Sequence, residues 1–402
     1  MRKNLLIAAL FSVQLAAFAQ TVLFHTGDST KVPYRIPAIA AARNGDLLAF
    51  TDHRWAGGDI GTGHLDILSR RSTDLGKSWE PAQMVLQGTN IKGPTMGYGD
   101  PCIAADTKKN ELLLLACSGD VLYQRSTLAH HQGIELRRAK YDKKKQDWVW
   151  ETNPRDLAPL FYDTLFNGKI TGMFVGSGRI ATSRLIRKKG YARVYAALCT
   201  HRGNFVVYSD DWGNTWAVLG SNEESCAPRG DEPKCEELPD GSVVLSSRKH
   251  GGLYVNIFRF SNKEKTEGAW EGVVDSRDMP QGISNEGTPC NGEILFVEAF
   301  NKKNKRTWLA LQSIPAGPGR KDVTIYYKEL ASPADYASVR DFASNWRGQY
   351  RVSYQGSAYS TMVQQKDGKI AFFYEEEPSW YQMVYKALTI SQITGGAYRA
   401  TK

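Results

Sequence analysis

Short runs rich in Val, Ile, Tyr and Phe recur along the whole 402-residue chain, and clusters of Gly, Asn and Asp separate them. The clearest runs are Leu47–Thr51, Leu112–Ala116, Val194–Leu198, Phe205–Tyr208, Val243–Ser246, Val323–Tyr327 and Ile370–Tyr374. Apolar positions at the helical spacing of three and four residues are scarce. Runs of this length and composition are typical of strands, so the pattern predicts an all-β protein.

Two of the polar segments share the pattern Ser-x-Asp-x-Gly-x-Ser/Thr-Trp: Ser72–Trp79 and Ser209–Trp216. The Ser and Asp side chains of such a segment can accept hydrogen bonds from N–H groups of the turn, and the glycine supplies a positive φ. The tryptophan can then pack beneath the turn. We therefore assign both segments a structural role and no catalytic one.

Three weaker copies extend this series, and each is a polar loop that ends in a tryptophan. These loops are Lys143–Trp148, Asn262–Trp270 and Asp335–Trp346. The closing tryptophans of all five segments recur at a mean spacing of about 67 residues, which divides the chain after position 19 into nearly six units. Repetition at this period indicates a propeller of four-stranded blades. The alternative is that only the two strict copies are true repeats.

The amino terminus has the three parts of a secretion signal. Arg2 and Lys3 form a basic start, an apolar stretch follows from Leu5, and Ala17-Phe18-Ala19 provides a small-x-small cleavage site. We therefore expect a signal peptide at 1–19, export to the periplasm or the medium, and a mature chain from 20 to 402. No linker or change of composition divides that mature chain, so we expect one large domain that acts as a monomer.

Charge and hydropathy exclude two classes of partner. The formal net charge is +9, and removal of Arg2 and Lys3 lowers it to about +7, a modest excess that favours acidic ligands. The lysine clusters Lys143–Lys145 and Lys302–Lys303 have no interleaved aromatic residues, so we expect no nucleic-acid partner. No run in the mature chain reaches the roughly 18 apolar residues of a membrane span.

The chain has six cysteines, which an exported protein could pair as disulfides. Cys102 and Cys117 flank a predicted hairpin that turns at Lys109-Asn110, and Cys226 and Cys235 are close in sequence. Neither pairing follows from spacing alone, and buried free thiols are equally compatible with the sequence. There is no C-x-x-C and no His pair at ligand spacing, so we expect no transition-metal site.

An arginine bracketed by prolines lies in the segment Val32–Ala38, Val-Pro-Tyr-Arg-Ile-Pro-Ala. Pro33 and Pro37 fix φ and lack an N–H, so the segment is predicted to be a rigid extended run that cannot lie in the middle of a sheet. A preorganised guanidinium suits bidentate binding of a carboxylate. Arg35 is therefore a candidate anion ligand, and the alternative is a solvated arginine at the start of a strand.

With Tyr34-Arg35-Ile36-Pro37, the two strict Asp-containing turns and an ordered set of polar residues between them, the chain resembles the sialidase (exo-α-neuraminidase) family. The resemblance is to the bacterial secreted glycoside hydrolases and covers 20–402. One such turn alone is weak evidence because other propellers carry it, whereas the ordered combination is specific. The resemblance implies an all-β fold, a six-bladed β-propeller.

The resemblance further implies a clamp of three arginines on the substrate carboxylate: Arg35, Arg248 and Arg320. Three guanidinium groups around one carboxylate give charge-assisted binding. Arg320 is the least secure member because the Asp-containing turn expected after it is degraded. Arg306 and Arg351 are possible substitutes.

The acid that braces the first arginine corresponds to Glu375. The consecutive Glu376 and Glu377 leave the register of this position open.

By the same resemblance, Tyr359 is the nucleophile and Glu232 is its base. The anomeric carbon of sialic acid bears a carboxylate, so a neutral phenol avoids the repulsion that an Asp or Glu nucleophile would meet, and sialidases are the known exception to the two-carboxylate scheme. A phenol with a pKa near 10 then needs a partner base. Tyr354 is a nearby rival for the nucleophile.

The general acid is assigned to Asp59, which follows the mobile Gly57-Gly58 pair, and Asp66 is its competitor. Arg54 and Asp100 match family positions that line the pocket near the acid and near the O4 and N-acyl groups of the substrate. This chemistry requires no cofactor.

The resemblance therefore implies a retaining exo-α-sialidase that acts on terminal sialic acid of glycoproteins, glycolipids and oligosaccharides. One rival is an enzyme of the same fold that transfers the sugar, releases an anhydro product or acts on deaminated sialic acid. The rival from another class is a non-catalytic propeller that binds glycans.

Overall fold

The chain folds into a ring of six sheets, whose described strands are antiparallel apart from one parallel pair, Gly97–Ala105 with Gly178–Arg179. A computed structural model describes residues 20–27, 32–55, 57–89, 96–287, 290–377 and 381–401. The predicted signal peptide, 1–19, lies outside the described residues. The described sheets are the blades of a six-bladed β-propeller, as predicted, and all seven apolar runs named above lie within strands.

The strands follow one another blade by blade. The first, β1 (Thr21–Phe24), belongs to the last blade. Blade 1 contains β2 (Tyr34–Ala41), β3 (Leu47–Arg54), β4 (Leu65–Ser72) and β5 (Gln83–Leu86). Blade 2 contains β6 (Gly97–Ala105), β7 (Glu111–Gly119), β8 (Gly133–Asp142), β9 (Asp147–Trp150) and β10 (Arg155–Asp156). Blade 3 contains β11 (Met173–Val175), β13 (Ala181–Lys188), β14 (Tyr191–Thr200), β15 (Gly203–Ser209) and β16 (Ala217–Val218), while β12 (Gly178–Arg179) pairs with β6 of blade 2.

The remaining three blades complete the ring. Blade 4 contains β17 (Pro233–Glu237), β18 (Val243–Lys249), β19 (Gly252–Phe260), β20 (Gly268–Trp270) and β21 (Val274–Asp275). Blade 5 contains β22 (Ile294–Asn301), β23 (Arg306–Gly317), β24 (Lys321–Leu330), β25 (Gly348–Arg351) and β29 (Tyr398–Ala400). Blade 6 contains β26 (Ser357–Gln364), β27 (Ile370–Glu376) and β28 (Gln382–Leu388), and β1 is its outermost strand. Chain residues from both ends thus share one sheet.

Helical structure in the described part of the chain is confined to short segments. The α-helices are Val339–Ala343 and Ile390–Ile393, the 3₁₀ turns are Tyr123–Arg125, Ser276–Asp278 and Pro333–Tyr336, and Pro159–Leu165 is π-helical. None of the described helices is long and apolar enough to cross a membrane.

Apolar clusters fill the spaces between neighbouring blades. Leu113 and Val194 belong to a cluster between blades 2 and 3, and Phe24 and Phe373 to one between blades 6 and 1. The other four blade interfaces have clusters of the same kind. All six cysteines are buried as free thiols, and four of them belong to these clusters: Cys102, Cys117, Cys226 and Cys235. Packing between sheets, and not within any one sheet, therefore forms the core.

The two strict Ser-x-Asp segments form the same turn between the third and fourth strand of a blade. In the first, the Ser72 hydroxyl accepts from Gly76 N–H at 2.8 Å, and Asp74 accepts from Ser78 N–H at 2.9 Å. Ser209 and Asp211 repeat these contacts at 2.8 Å. The three weaker loops also connect the third and fourth strands of their blades, so all five occupy one position in the repeat.

Three innermost strands carry a β-bulge at the same end of the ring. The strand register shifts between Arg35 and Ala38, between Gly99 and Cys102, and between Ser357 and Ser360. The predicted extended conformation of the proline-bracketed segment is wrong at Ile36, which has a φ of 58° within its bulge. Bulges re-aim side chains next to functional sites. The segment does lie on a strand that is paired on one side only, as predicted.

Candidate active site

An open cleft of about 630 Å³ lies where the three bulged strands meet. Eight of the nine predicted site residues line it: Arg35, Arg54, Asp59, Asp100, Glu232, Arg248, Arg320 and Tyr359. The ninth, Glu375, is buried behind Arg35. The ring therefore brings together residues that are separated by more than 300 positions in the sequence.

A tyrosine and a carboxylate form the centre of the cleft. Tyr359, at the bulge of β26, donates a hydrogen bond from its hydroxyl to Oε1 of Glu232, which lies just before β17. Arg248 Nη1, on β18, lies 2.7 Å from the same oxygen and 3.4 Å from the Tyr359 hydroxyl. Burial raises the pKa of Glu232, and the charge of Arg248 opposes that shift. Burial and the negative charge of Glu232 hold the pKa of Tyr359 well above its usual value.

Glu375, on β27, binds three groups with its two oxygens. Oε1 accepts from Arg35 Nε at 2.8 Å and from Ile36 N–H at 2.7 Å, and Oε2 accepts from Tyr359 N–H at 3.3 Å. Glu376 points elsewhere, because it accepts from the Ser353 hydroxyl and from the Tyr374 hydroxyl. The register that the sequence left open thus places Glu375, and not Glu376, behind Arg35.

Arg320 lies in the tight turn between β23 and β24 with a φ of 57°. Its guanidinium carbon is 5.6 Å from the centre of the Tyr359 ring, and that of Arg35 is 5.7 Å from the same ring. Arg306 instead pairs with Glu298 on the surface, and Arg351 lies 3.8 Å from Asp322. Three guanidinium groups, those of Arg35, Arg248 and Arg320, therefore surround Tyr359.

Tyr354, the rival nucleophile, is 77% exposed and does not line the cleft. Its ring instead packs against the guanidinium of Arg351, 5.0 Å from the ring centre. Among the described residues it contacts none of the three clamp arginines through its ring. The structure therefore places Tyr359, and not Tyr354, against Glu232.

Asp59 and Asp66 lie in different environments. The Asp59 side chain is 61% exposed at the rim of the cleft, and its Oδ1 lies 3.5 Å from Arg54 Nη2. Asp66 is buried, and it accepts from Trp55 Nε1 at 2.7 Å and from Gly88 N–H at 2.8 Å. Asp59 is thus open to a ligand, whereas Asp66 accepts a hydrogen bond from Trp55, at the start of the loop that carries Asp59.

One buried carboxylate of the site was not predicted from the sequence. Asp52 accepts from Arg54 Nη2 at 2.7 Å and from Asp100 N–H at 3.0 Å. Burial raises the pKa of Asp52 to about 7, although the charge of Arg54 lowers it. Burial and the neighbouring Asp59 and Asp52 raise the pKa of Asp100 well above its usual range. The only sequence signal was proximity, since Asp52 lies two positions before Arg54.

Other cleft residues also escaped sequence reasoning. Cys290 packs with Ile36 and Tyr359, and burial raises the pKa of its thiol to about 12, so it acts as a neutral filler beside the arginines. Across the cleft, the Tyr123 ring lies 4.4 Å from that of His201 and 4.8 Å from that of Phe174. These residues lie in loops and strand ends without a recognisable motif.

Comparisons with known proteins give a consistent result. No family model matches the chain. A sialidase of Bacteroides fragilis is 32% identical over 314 residues, which are 75% of this chain and 54% of that protein. A sialidase of Paraclostridium sordellii is 25% identical over 92% of this chain and 88% of its own length. A sialidase of Micromonospora viridifaciens is 27% identical over 85% of this chain. The chain spans about half the length of the Micromonospora and Bacteroides relatives.

Solved structures share the fold. A Hadza microbial sialidase superposes with a TM-score of 0.71 at 20% identity, over 93% of this chain and 69% of its own. The intramolecular trans-sialidase of Ruminococcus gnavus, in complex with oseltamivir carboxylate, also gives 0.71, at 15% identity, over 93% of this chain and 98% of its own.

Fold and site define a six-bladed propeller with an arginine-rich cleft around a Tyr–Glu pair. The sequence relatives, taken together with this fold, support a bacterial sialidase propeller family.

Proposed function

We propose that this protein is a retaining exo-α-sialidase that releases terminal sialic acid from glycoproteins, glycolipids and oligosaccharides. One observation carries the proposal: the Tyr359 hydroxyl donates to the Glu232 carboxylate, in an open cleft, among three guanidinium groups. Sialic acid is a sugar whose reacting carbon bears a carboxylate. The cleft offers a site for that charge next to a nucleophile.

Substrate binding would begin with the carboxylate. Arg35, Arg248 and Arg320 would each donate to it, with the charge-assisted strength typical of such pairs. In the described part of the chain Arg320 forms no ion pair with a carboxylate, and the positive charges of Arg248 and Arg35 lie near it, so its charge is available to an anion. Glu375 fixes Arg35 from behind and thereby reduces the freedom that the arginine loses on binding.

The first chemical step would form a bond between Tyr359 and the anomeric carbon. Glu232 takes the phenolic proton as the oxygen attacks, and Asp59 gives a proton to the departing glycosidic oxygen. In the second step, Asp59 takes a proton from water, the water oxygen attacks the same carbon, and the phenol leaves with a proton from Glu232. Two inversions at one carbon give net retention.

The nucleophile is tested with Tyr359→Phe. Removal of the hydroxyl deletes the attacking atom, so we expect kcat for a fluorogenic α-sialoside to fall by about 10³-fold or more. Tyr354→Phe, a change at an exposed tyrosine outside the cleft, serves as the control and keeps full activity. A wild-type protein that releases no fluorophore, or a Tyr359→Phe variant with undiminished kcat, contradicts the proposal. Glycan binding by an inactive wild type would favour a non-catalytic module.

The product separates hydrolysis from its rivals. The fold is shared with an intramolecular trans-sialidase, so proton NMR of the first sugar released is the deciding measurement. We expect the α-anomer of free sialic acid, followed by mutarotation. A 2,7-anhydro sugar, or transfer to added lactose, would instead assign one of the rival reactions.

We further propose that 1–19 directs export of the protein. Mass spectrometry of protein recovered from the periplasm or medium is expected to give an amino terminus at Gln20. Ala19→Arg places a large charge at the cleavage site and should leave the segment attached. Cytoplasmic recovery of a wild-type chain that begins at Met1 would contradict this proposal.

A further inference from the structure

Asp52 connects three parts of the cleft through one side chain. It is wholly buried on β3, opposite Arg35 on β2. Oδ2 accepts from Arg54 Nε at 3.1 Å and from Arg54 Nη2 at 2.7 Å, and Oδ1 accepts from Asp100 N–H at 3.0 Å. Because none of its surface is exposed, Asp52 cannot touch a ligand itself.

The groups that Asp52 holds do face the cleft. Arg54 and Asp100 both line it, and Arg54 Nη2 reaches to within 3.5 Å of Asp59. Asp100 has a φ of 53° in its bulge, a conformation that needs support from its surroundings. The neighbouring Gly99 leaves room for the contact, since a Cβ there would lie 3.2 Å from Asp52 Oδ2.

The family resemblance places Arg54 and Asp100 near the O4 and N-acyl groups of the substrate. We propose that Asp52 is a positioning residue, which holds this pair in the geometry needed to bind one hydroxyl group of the sugar. A guanidinium donates, and a carboxyl oxygen accepts in either protonation state of the group, so together they match a hydroxyl, which can do both. The inference rests on the proposed function and deepens it, because it assigns part of substrate selection to a buried residue. The alternative is that Asp52 only stabilises the fold of blade 1.

Asp52→Asn separates these two roles with little change of volume. The amide oxygen can still accept from Asp100 N–H, but the NH₂ group cannot accept from Arg54, so the arginine loses both of its hydrogen bonds to this side chain. We expect kcat/KM for a complete α-sialoside to fall about 10-fold to 100-fold, chiefly through KM, as for a lost charge-assisted hydrogen bond.

A panel of sialosides that each lack one hydroxyl group gives the decisive readout. One substrate of the panel lacks the hydroxyl that Arg54 and Asp100 bind. For that substrate, Asp52→Asn should lower kcat/KM by less than about 3-fold, because the position of the pair then no longer matters. The same substrate should be the one that wild type uses least well among the panel. An equal loss across the whole panel would overturn the proposal and leave a structural role.

Asp46→Asn is the matched control. Asp46 is also buried in blade 1, and it accepts from Arg71 Nε at 2.8 Å and from Trp148 Nε1 at 2.9 Å, but it lies outside the cleft. This variant should leave the order of preference within the panel unchanged. A change of preference equal to that of Asp52→Asn would overturn the proposal.

Crystal structures of wild type and Asp52→Asn keep the two hypotheses distinct. If wild type cleaves no sialoside, the proposed function fails, whereas the structures still decide the role of Asp52. A displaced Arg54 side chain and a changed Asp100 backbone support positioning. Both groups in their original places would overturn it.

Discussion

At the scale of single residues, the contact between Tyr359 and Glu232 links the two halves of the site. The two residues are 127 positions apart in the chain, and only the closed ring brings them together. Glu232 has to be ionised to accept the phenolic proton. Its environment therefore sets the lower pH limit of the proposed reaction.

The acidic limb of the pH profile is predicted to lie above pH 4.5. Burial raises the pKa of Glu232 from that value, so kcat/KM should rise with pH as the carboxyl loses its proton above 4.5. Arg248→Met removes the charge that opposes the shift and should move this limb to higher pH. The measurement is kcat/KM against pH for both proteins. A limb below 4.5, or one that Arg248→Met leaves in place, would contradict the prediction.

Most residues that line the cleft could be named from motifs, but the buried residues behind them could not. Glu375, Glu376 and Glu377 are identical in type, and neighbouring residues of a strand face opposite ways. The choice among them depends on a strand register that composition does not encode. Asp52 and Cys290 act through contacts with residues distant in sequence, and such contacts leave no local pattern.

At the scale of elements, the loop between the third and fourth strands of blade 5 is not stabilised by a Ser-x-Asp turn. This loop, between β24 and β25, lacks the pattern, and a buried lysine organises it instead. Lys328 Nζ donates to the carbonyl oxygens of Asp335, Phe342 and Ser344 at 3.0, 3.1 and 2.9 Å, and also to that of Asp341. One ammonium group thus satisfies the ends of two short helical segments.

Lys328→Met is predicted to lower the free energy of unfolding by about 3 kcal/mol, because buried carbonyl groups lose their donor. Chemical denaturation followed by tryptophan fluorescence measures the change. Lys366→Met, at an exposed lysine, is the control and should change it by less than about 0.5 kcal/mol. Equal stability of the two variants would show that these carbonyl groups find other partners.

The bulged strand at Arg35 shows where propensity fails. Prolines on both sides favour extended backbone, and isoleucine disfavours a positive φ. Ile36 nevertheless has one, and its N–H donates to Glu375 at 2.7 Å. A tertiary contact with the last blade thus accompanies a conformation that no local pattern predicts.

At the scale of the whole molecule, the spacing of five tryptophans predicted six blades. Four of them contact the preceding blade or the chain segment that leads into their own blade. Trp79 packs on Tyr385, and Trp216 packs on Phe161. Trp148 donates to the Asp46 carboxylate, and Trp270 donates to the Leu219 carbonyl. Blade 6 adds no sixth tryptophan to the series, because its fourth strand is β1 from the amino terminus. This exchange of a terminal strand is not visible in a repeat pattern.

Phe24→Ala tests how far the ring depends on that strand. Phe24 is buried between blades 6 and 1, so its truncation should cost about 3 kcal/mol or more in the free energy of unfolding. Val22→Ala, on the exposed face of the same strand, should cost less than about 0.5 kcal/mol. Thermal or chemical unfolding measures both. A Phe24→Ala protein as stable as wild type would mean that β1 is dispensable for closure.

Because β1 closes the ring, the order in which the strands are synthesised determines when the cleft can form. Thr21–Phe24 is made before blade 1, whereas its partner strand β28, Gln382–Leu388, is made after the first four blades. The ion pair between Arg35 and Glu375 spans 340 positions in the same way. A nascent chain can therefore assemble the middle blades one after another, but the cleft stays incomplete until the strands of blade 6 have been made. Loss of β1 or of blade 6, by early termination or by proteolysis, removes the pairing that closes the ring and the site together.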